Sequence, residues 1–252
     1  MQILLACAKI MNDSTPVATP FVTRPHFADD AGRFAAELSG WTVEELAAAL
    51  HCSETLAKET KKRYLQFFDE GGQLPAVLGY YGQAYKCLQA GSFDEAMFRF
   101  AQDHLWIASF LYGLLRPLDS IHPYRLEGKV TLEQAGGLNM FGYWKNRLTD
   151  VLIGRVKADD GVLVHLATEE MEHLFDWKRV RCEVRIVQPQ FFVIKNGKLK
   201  NVTVYSKSCR GAMTRFIIAG GLQSPEALKA FEYEGFAFTE AFGDEEHPHF
   251  IV

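Results

Sequence analysis

The dipeptide Asn196-Gly197, set between RCEVRIVQPQFFVI and KLKNVTVYS, constrains this chain more than any other stretch. Two residues that accept positive φ, flanked by runs rich in β-branched and aromatic side chains, predict a tight hairpin. Its second strand is expected to deliver Tyr205 and Ser206 to the rim of a sheet. There SKSCRG turns the chain into a helix, AMTRFIIAG, which Gly220-Gly221 stops. A turn at the start of a helix leaves backbone N–H groups free, and those attract negative charge. Ser206 and Ser208 add hydroxyls, Lys207 and Arg210 add charge, and Arg215 on the following helix can face the same site. The same residues also admit a plainer reading, with Lys207 and Arg210 solvated, Ser208 capping a helix and Arg215 paired to an acidic neighbour. The loop lacks the spacing and terminal Gly-Lys-Ser/Thr of a Walker A motif. Cys209, near the expected helix start, should have a lowered thiol pKa and be oxidisable. It is a candidate nucleophile only if a base lies against it, and no histidine is placed there by the sequence.

The remaining elements follow from periodicity and caps. Ile3–Ala8 reads as a first buried strand ending in Lys9, followed by a polar, proline-containing stretch. Thr42 caps TVEELAAAL with Glu45 as its capping-box partner, and Ser53 caps SETLAKETKKRYLQFF. The joint LHCS between them lacks the glycines that let a helix-hairpin-helix approach DNA phosphates, so ordinary packing of two helices competes with a DNA-binding role. FDEAMFRFAQDHL is an amphipathic helix, LWIASF a strand, 143–154 a helix, GVLVHLA a strand and TEEMEHLF a short helix. EGFAFTE is a last strand, and the acidic end with His247 and His249 reads as a solvated tail. Strands and helices alternate without a clean βαβ period and no linker divides them. The expectation is one mixed α/β (α+β) domain over 1–252.

Charge is unevenly placed. The total is −4, yet between Trp177 and Leu222 ten Lys or Arg face only Glu183, which leaves about −13 on the remainder. Five scattered cysteines argue against a disulfide scaffold or a clustered metal site; no metal and no cofactor is expected. No apolar run approaches bilayer length, so a soluble, cytoplasmic protein without a membrane partner is the default.

A second loop, LYGLLRPLDSIHPYRLEG, carries Arg116, Asp119, Arg125 and Glu127. Long loops in compact domains are usually functional or disordered, and this one is too apolar for disorder. Its charges serve equally well as salt bridges holding the loop or as part of a substrate site. Lys9 is a third candidate cation. Asp119, Glu127, Glu169 and Glu170 are the carboxylates near these elements, with Asp119 and Glu169 the ones considered for proton transfer.

Over essentially its whole length the chain resembles the YaaA family of bacterial peroxide-stress proteins. The resemblance rests on Ala8-Lys9 after the first strand, GQAY at 82–85, LYGLLRPLD at 111–119 and PYRLE at 123–127. It rests also on YW at 143–144 and on YSKSCRG at 205–211 followed by RFI. It implies a compact mixed fold with a positively charged cleft and a helix-hairpin-helix element, here within 42–68. It also implies binding to duplex and distorted DNA, and a part in limiting damage when peroxide meets free iron in the cytoplasm. Carried over, Lys9, Arg116, Arg125, Lys207, Arg210 and Arg215 would lie in the cleft. The chain departs from the family pattern in having Ala6-Cys7 where Ser-Pro is usual, Phe110 in place of a glycine, and Gly128 directly after YRLE.

The expected activity is therefore DNA binding, with phosphates gripped by cations in a concave face. The alternative is an enzyme acting on a nucleotide or small phosphorylated substrate in the same place. A third reading makes the basic segment a docking surface for an acidic protein.

Overall fold

Strand β1 (Gln2–Ala6) is the centre of a five-stranded sheet, and its Ile3, Leu4 and Leu5 are buried on both faces. Such continuous apolar runs are characteristic of parallel strands covered on both sides. β2 (Leu105–Ser109) and β4 (Val162–His165) flank β1 in parallel, so all three end at one edge. β3 (Gly113–Leu115) hairpins back antiparallel on β2, and β5 (Arg185–Val187) pairs parallel to β4, giving the order β3-β2-β1-β4-β5. A second five-stranded sheet contains β6 (Gln190–Lys195), β7 (Lys198–Lys200), β8 (Glu232–Tyr233), β9 (Phe236–Gly243) and β10 (Pro248–Ile251), in the order β7-β6-β10-β9-β8. The computed structural model describes residues 1–252, and a single cluster of 68 buried residues runs through it from Met1 to Phe250.

The helices follow their local chemistry. α1 (Ala28–Gly40) buries Ala31, Phe34, Ala35 and Leu38 at helical spacing. α2 (Val43–Ala49) begins at the Thr42–Glu45 capping box, and α3 (Glu54–Leu65) at Ser53, whose hydroxyl accepts from the Leu56 amide. Further helices are α4 (Gln83–Leu88), α5 (Glu95–His104), α6 (Met140–Ala158), α7 (Glu169–Glu172), α8 (Trp177–Glu183) and α9 (Thr203–Gly220). The mixed architecture expected from the sequence is present, and α2 and α3 form the helix pair.

Three expectations are corrected. The Asn196-Gly197 turn forms with both residues at positive φ, but its second strand ends at Lys200. From Thr203 the chain is one uninterrupted helix, so Ser206–Gly211 lie within α9 and their N–H groups do not form an open anion-binding turn. Gly211 serves close packing instead: a Cβ there would stand 1.8 Å from the Ala84 carbonyl oxygen of α4. The run from Arg181 is not one long strand, because α8 occupies Trp177–Glu183 before β5 and β6. Finally, the acidic end is not a free tail. Its last residues insert as β10 between β6 and β9, where Phe250 is fully buried.

Candidate functional site

A cavity of about 370 Å³ opens at the carboxyl ends of β1, β2 and β4. Cys7, Ala8 and Lys9 come from the end of β1, Phe110 from the end of β2, and Leu166 and Thr168 from the end of β4. Val204, Lys207 and Arg210, three residues apart on α9, line it together with Gln83 and Ala84 of α4. Tyr124, Arg125 and Leu126 supply another wall. The parallel strands β2 and β4 lie on opposite sides of β1, and in open parallel sheets the crevice at such a reversal is the usual ligand position. Three wider concavities, about 970, 640 and 430 Å³, lie elsewhere. None of the three is lined by Lys9, Lys207 or Arg210.

Two glycines hold this place tight. Gly211 lets α9 rest on the α4 backbone, and a Cβ at Gly82 would meet the Ala8 Cβ at 2.8 Å. The Gln83 side-chain amide donates to Ser208 Oγ at 2.9 Å, while that hydroxyl donates to the Val204 carbonyl at 3.1 Å. Ser206 donates to Asn201 Oδ1 at 3.0 Å. Both serine hydroxyls are thus used in holding α9.

The cations divide into three groups. Lys9 and Arg125 share Glu127, at 2.8 and 3.4 Å. Lys207 and Arg210 have no carboxylate within ion-pair distance, and Lys207 is exposed. Burial pulls the Arg210 pKa below its ordinary value, with the negative charge of Glu169 opposing that shift. The third group is elsewhere. Arg116 stacks 3.4 Å over the Trp106 ring and donates to the Leu105 carbonyl at 3.2 Å, in the 640 Å³ concavity. Its pKa falls to about 10, through burial first and the repulsion of Arg155 second. Arg215 donates to the Leu88 and Gln89 carbonyls and to Ser92 Oγ, where it ties α9 to the end of α4.

The catalytic candidates Asp119, Glu169 and Cys209 are not among the residues lining the pocket. Asp119 accepts from the Arg116 amide at 2.8 Å and Thr23 Oγ1 at 2.7 Å, which makes it a turn-holding group, with its pKa raised by burial. Glu169 is exposed at the start of α7, and Glu170 beside it lines the cavity. Cys209 is fully buried within α9, and burial pushes its thiol up to about 12, the reverse of the expected lowering. Sequence reasoning missed Cys7 as a wall residue; its thiol is also pushed up to about 12 by burial, although the Tyr124 hydroxyl opposes the shift. It also missed Thr168. Thr168 Oγ1 and Arg125 Nε are buried without a hydrogen-bond partner, and both residues line the cavity. No cluster of His, Cys, Asp and Glu is arranged to hold a metal ion, and no helix is long and apolar enough to cross a membrane.

The fold and site define a mixed α/β protein with a cation-bearing pocket at the carboxyl edge of its parallel strands. Residues 1–242 match the family model described as peroxide stress protein YaaA. The chain is 49% identical to a UPF0246 protein of Bacteroides fragilis over 246 residues, covering 97% of this chain and 96% of the relative. It is 46% identical to a UPF0246 protein of Bacteroides thetaiotaomicron over 252 residues, 100% of this chain and 98% of that one. A Porphyromonas gingivalis UPF0246 protein is 38% identical over 255 residues, with both chains fully covered. This chain belongs to the YaaA family of peroxide-stress proteins.

Proposed function

We propose that the chain serves peroxide-stress protection by binding the phosphate backbone of nucleic acid, DNA foremost, at the mouth of this pocket. The observation that carries the proposal is the pair Lys207 and Arg210, neither in a direct ion pair with a carboxylate, beside Lys9 and Arg125. A cation without a partner in a chain of net charge −4 focuses field at one place. Lys195, Lys198 and Lys200 on the exposed β6–β7 hairpin extend the positive charge along the chain leading into α9. Ile10 and Val204 are exposed at the pocket, and an apolar rim among cations suits unstacked strands better than a regular duplex.

The α2–α3 pair has a smaller share in this reading. Lys58 is paired with Glu54, Lys61 donates to the Ser39 and Trp41 carbonyls, and Arg63 bridges Asp13 and Glu59. That leaves Lys62 for a phosphate. The rival reading as an enzyme on a phosphorylated small molecule loses Asp119 as its proton-transfer group, because Asp119 lines a different concavity.

Fluorescence anisotropy of dye-labelled duplex and bulged DNA, at two salt concentrations, tests the proposal. Lys207→Ala/Arg210→Ala should weaken binding and reduce the slope of log K against log salt by about 2, near 0.9 for each duplex phosphate no longer neutralised. An unchanged affinity in the double variant would remove the α9 cations, and with them the proposal.

A further inference from the structure

Resting on that reading, we infer that the pocket receives one whole nucleotide unit, base inward and phosphate at the mouth, supplied free or swung out of a strand. The volume is the first reason. About 370 Å³ lies near the lower end of the range for a single small ligand, about 300–1,000 Å³. That is room for one nucleoside.

The lining is the second. Phe110, Leu126, Leu166 and Met171 give an apolar interior in which a base would leave water. Against this interior lie two unpaired polar atoms of lining residues, Thr168 Oγ1 and Arg125 Nε, each shielded from water. Buried polar atoms are nearly always paired, and an unpaired one costs free energy until a partner arrives. A nucleobase edge offers what both need: an acceptor for the Arg125 N–H, and a donor or acceptor for the threonine hydroxyl. Lys207 and Arg210 stand where the attached phosphate would be. A planar apolar body, a polar edge and an anion one sugar away describe a nucleotide more closely than they describe a bare phosphate. Gly82 and Gly211 hold the apolar walls together without a ligand.

Two titrations on the full chain separate this inference from strand binding itself. Calorimetry with nucleoside 5′-monophosphates reads the free source. An oligonucleotide with 2-aminopurine in a single-base bulge, carrying a dye at its far end, reads the strand source through 2-aminopurine emission and binding through dye anisotropy. Thr168→Val removes the hydroxyl without changing shape and should weaken monophosphate binding about three- to tenfold. Ala8→Phe should fill the cavity and abolish the 2-aminopurine response; circular dichroism reports whether it folds, and Thr168→Val carries the test if it does not. Anisotropy rising together with a 2-aminopurine response that Thr168→Val diminishes supports the inference. Monophosphate binding without any strand binding supports it for the free nucleotide and refutes the nucleic-acid proposal. Strand binding with silent 2-aminopurine and no monophosphate heat overturns the inference and leaves that proposal standing. No binding in either titration overturns both.

Discussion

Gly211→Ala tests the helix packing on which the pocket depends. Alanine at an ordinary mid-helix position gains about 1 kcal/mol over glycine. At 211 its methyl would stand 1.8 Å from the Ala84 carbonyl oxygen and 2.6 Å from the carbonyl carbon. Both are backbone atoms inside α4, so no side chain can swing aside. To reach van der Waals distance the helices must part by roughly 1.5 Å, which forfeits dispersion along their shared face. The Gln83–Ser208 hydrogen bond, 2.9 Å long, spans the same face. Overpacking costs about 1–3 kcal/mol where neighbours can yield, and a rigid neighbour sets it at the upper end. Subtracting the propensity gain leaves a net loss of about 2 kcal/mol, which in a chain of this size lowers Tm by about 4–8 °C. Gly154→Ala in α6 is the matched control, since nothing lies within 4 Å of a Cβ there. It should gain about 0.5–1 kcal/mol. Urea unfolding of the two variants beside the parent measures the difference directly. Equal stability changes in the two would refute the close approach of α4 and α9, and with it the shape of the pocket.

Three further outcomes are expected. Phe250→Ala should cost about 3–5 kcal/mol in urea unfolding, because the ring is fully buried in the second sheet; a loss below about 1 kcal/mol would return the end of the chain to solvent. Iodoacetamide at pH 8 should label exposed Cys182 and spare Cys7 and Cys209 in the folded protein. A thiol with its pKa raised to about 12 is roughly 10⁻⁴ thiolate at that pH, so rapid modification, read by peptide mass mapping, contradicts the burial of Cys209 or the raised pKa of half-buried Cys7. His165 is held neutral by burial, against the opposing pull of Glu172 at 3.0 Å, so its folded pKa is below the unfolded value near 6.5. The unfolded chain then binds the proton first, and stability present above about pH 6.5 is lost as pH falls toward the folded pKa. The urea midpoint should drop between pH 7.5 and 5.5, by less in His165→Gln; an identical drop in both assigns the acid sensitivity to other groups.

What could be read from the sequence was what local chemistry decides. The Thr42–Glu45 box and the Ser53 cap satisfy orphan amides with their own neighbours, so α2 and α3 were visible without any tertiary information. Asn196-Gly197 declared its turn because few residues accept positive φ. The apolar runs of β2 and β4 were visible for the same kind of reason. The start of α9 was not, because VTVY carries strand propensity and glycine at 211 imitates a turn. Only packing on α4, more than a hundred residues away in the chain, makes that segment helical, and tertiary packing routinely overrides propensity in this way. For α1 the signal was present in Ala31, Phe34, Ala35 and Leu38, behind the acidic first turn Asp29-Asp30. For β10 the acidic neighbours masked the alternation of Pro248 and Phe250, whose burial depends on a strand about sixty residues away.

The site shows why a set of cations cannot be assembled from charge alone. β1, β2 and β4 run in one direction, so whatever follows them arrives at one edge, and Lys9, Phe110 and Thr168 meet there although they are far apart in sequence. Arg116 follows β3, which runs the opposite way. The register pairs Leu115 with Ile107 and Ser109 with Gly113, so the chain leaving β3 travels back toward the start of β2. There Arg116 finds the Trp106 ring and the Leu105 carbonyl, away from the pocket. Arg210 is brought in by another route, through a helix laid across the strand ends because Gly211 permits it. Strand direction and one missing side chain, more than the positions of lysine and arginine in the sequence, decide which positive charges can share a pocket. Arg116 and Lys9 each lie just past the end of a strand, and the polarity of that strand separates them.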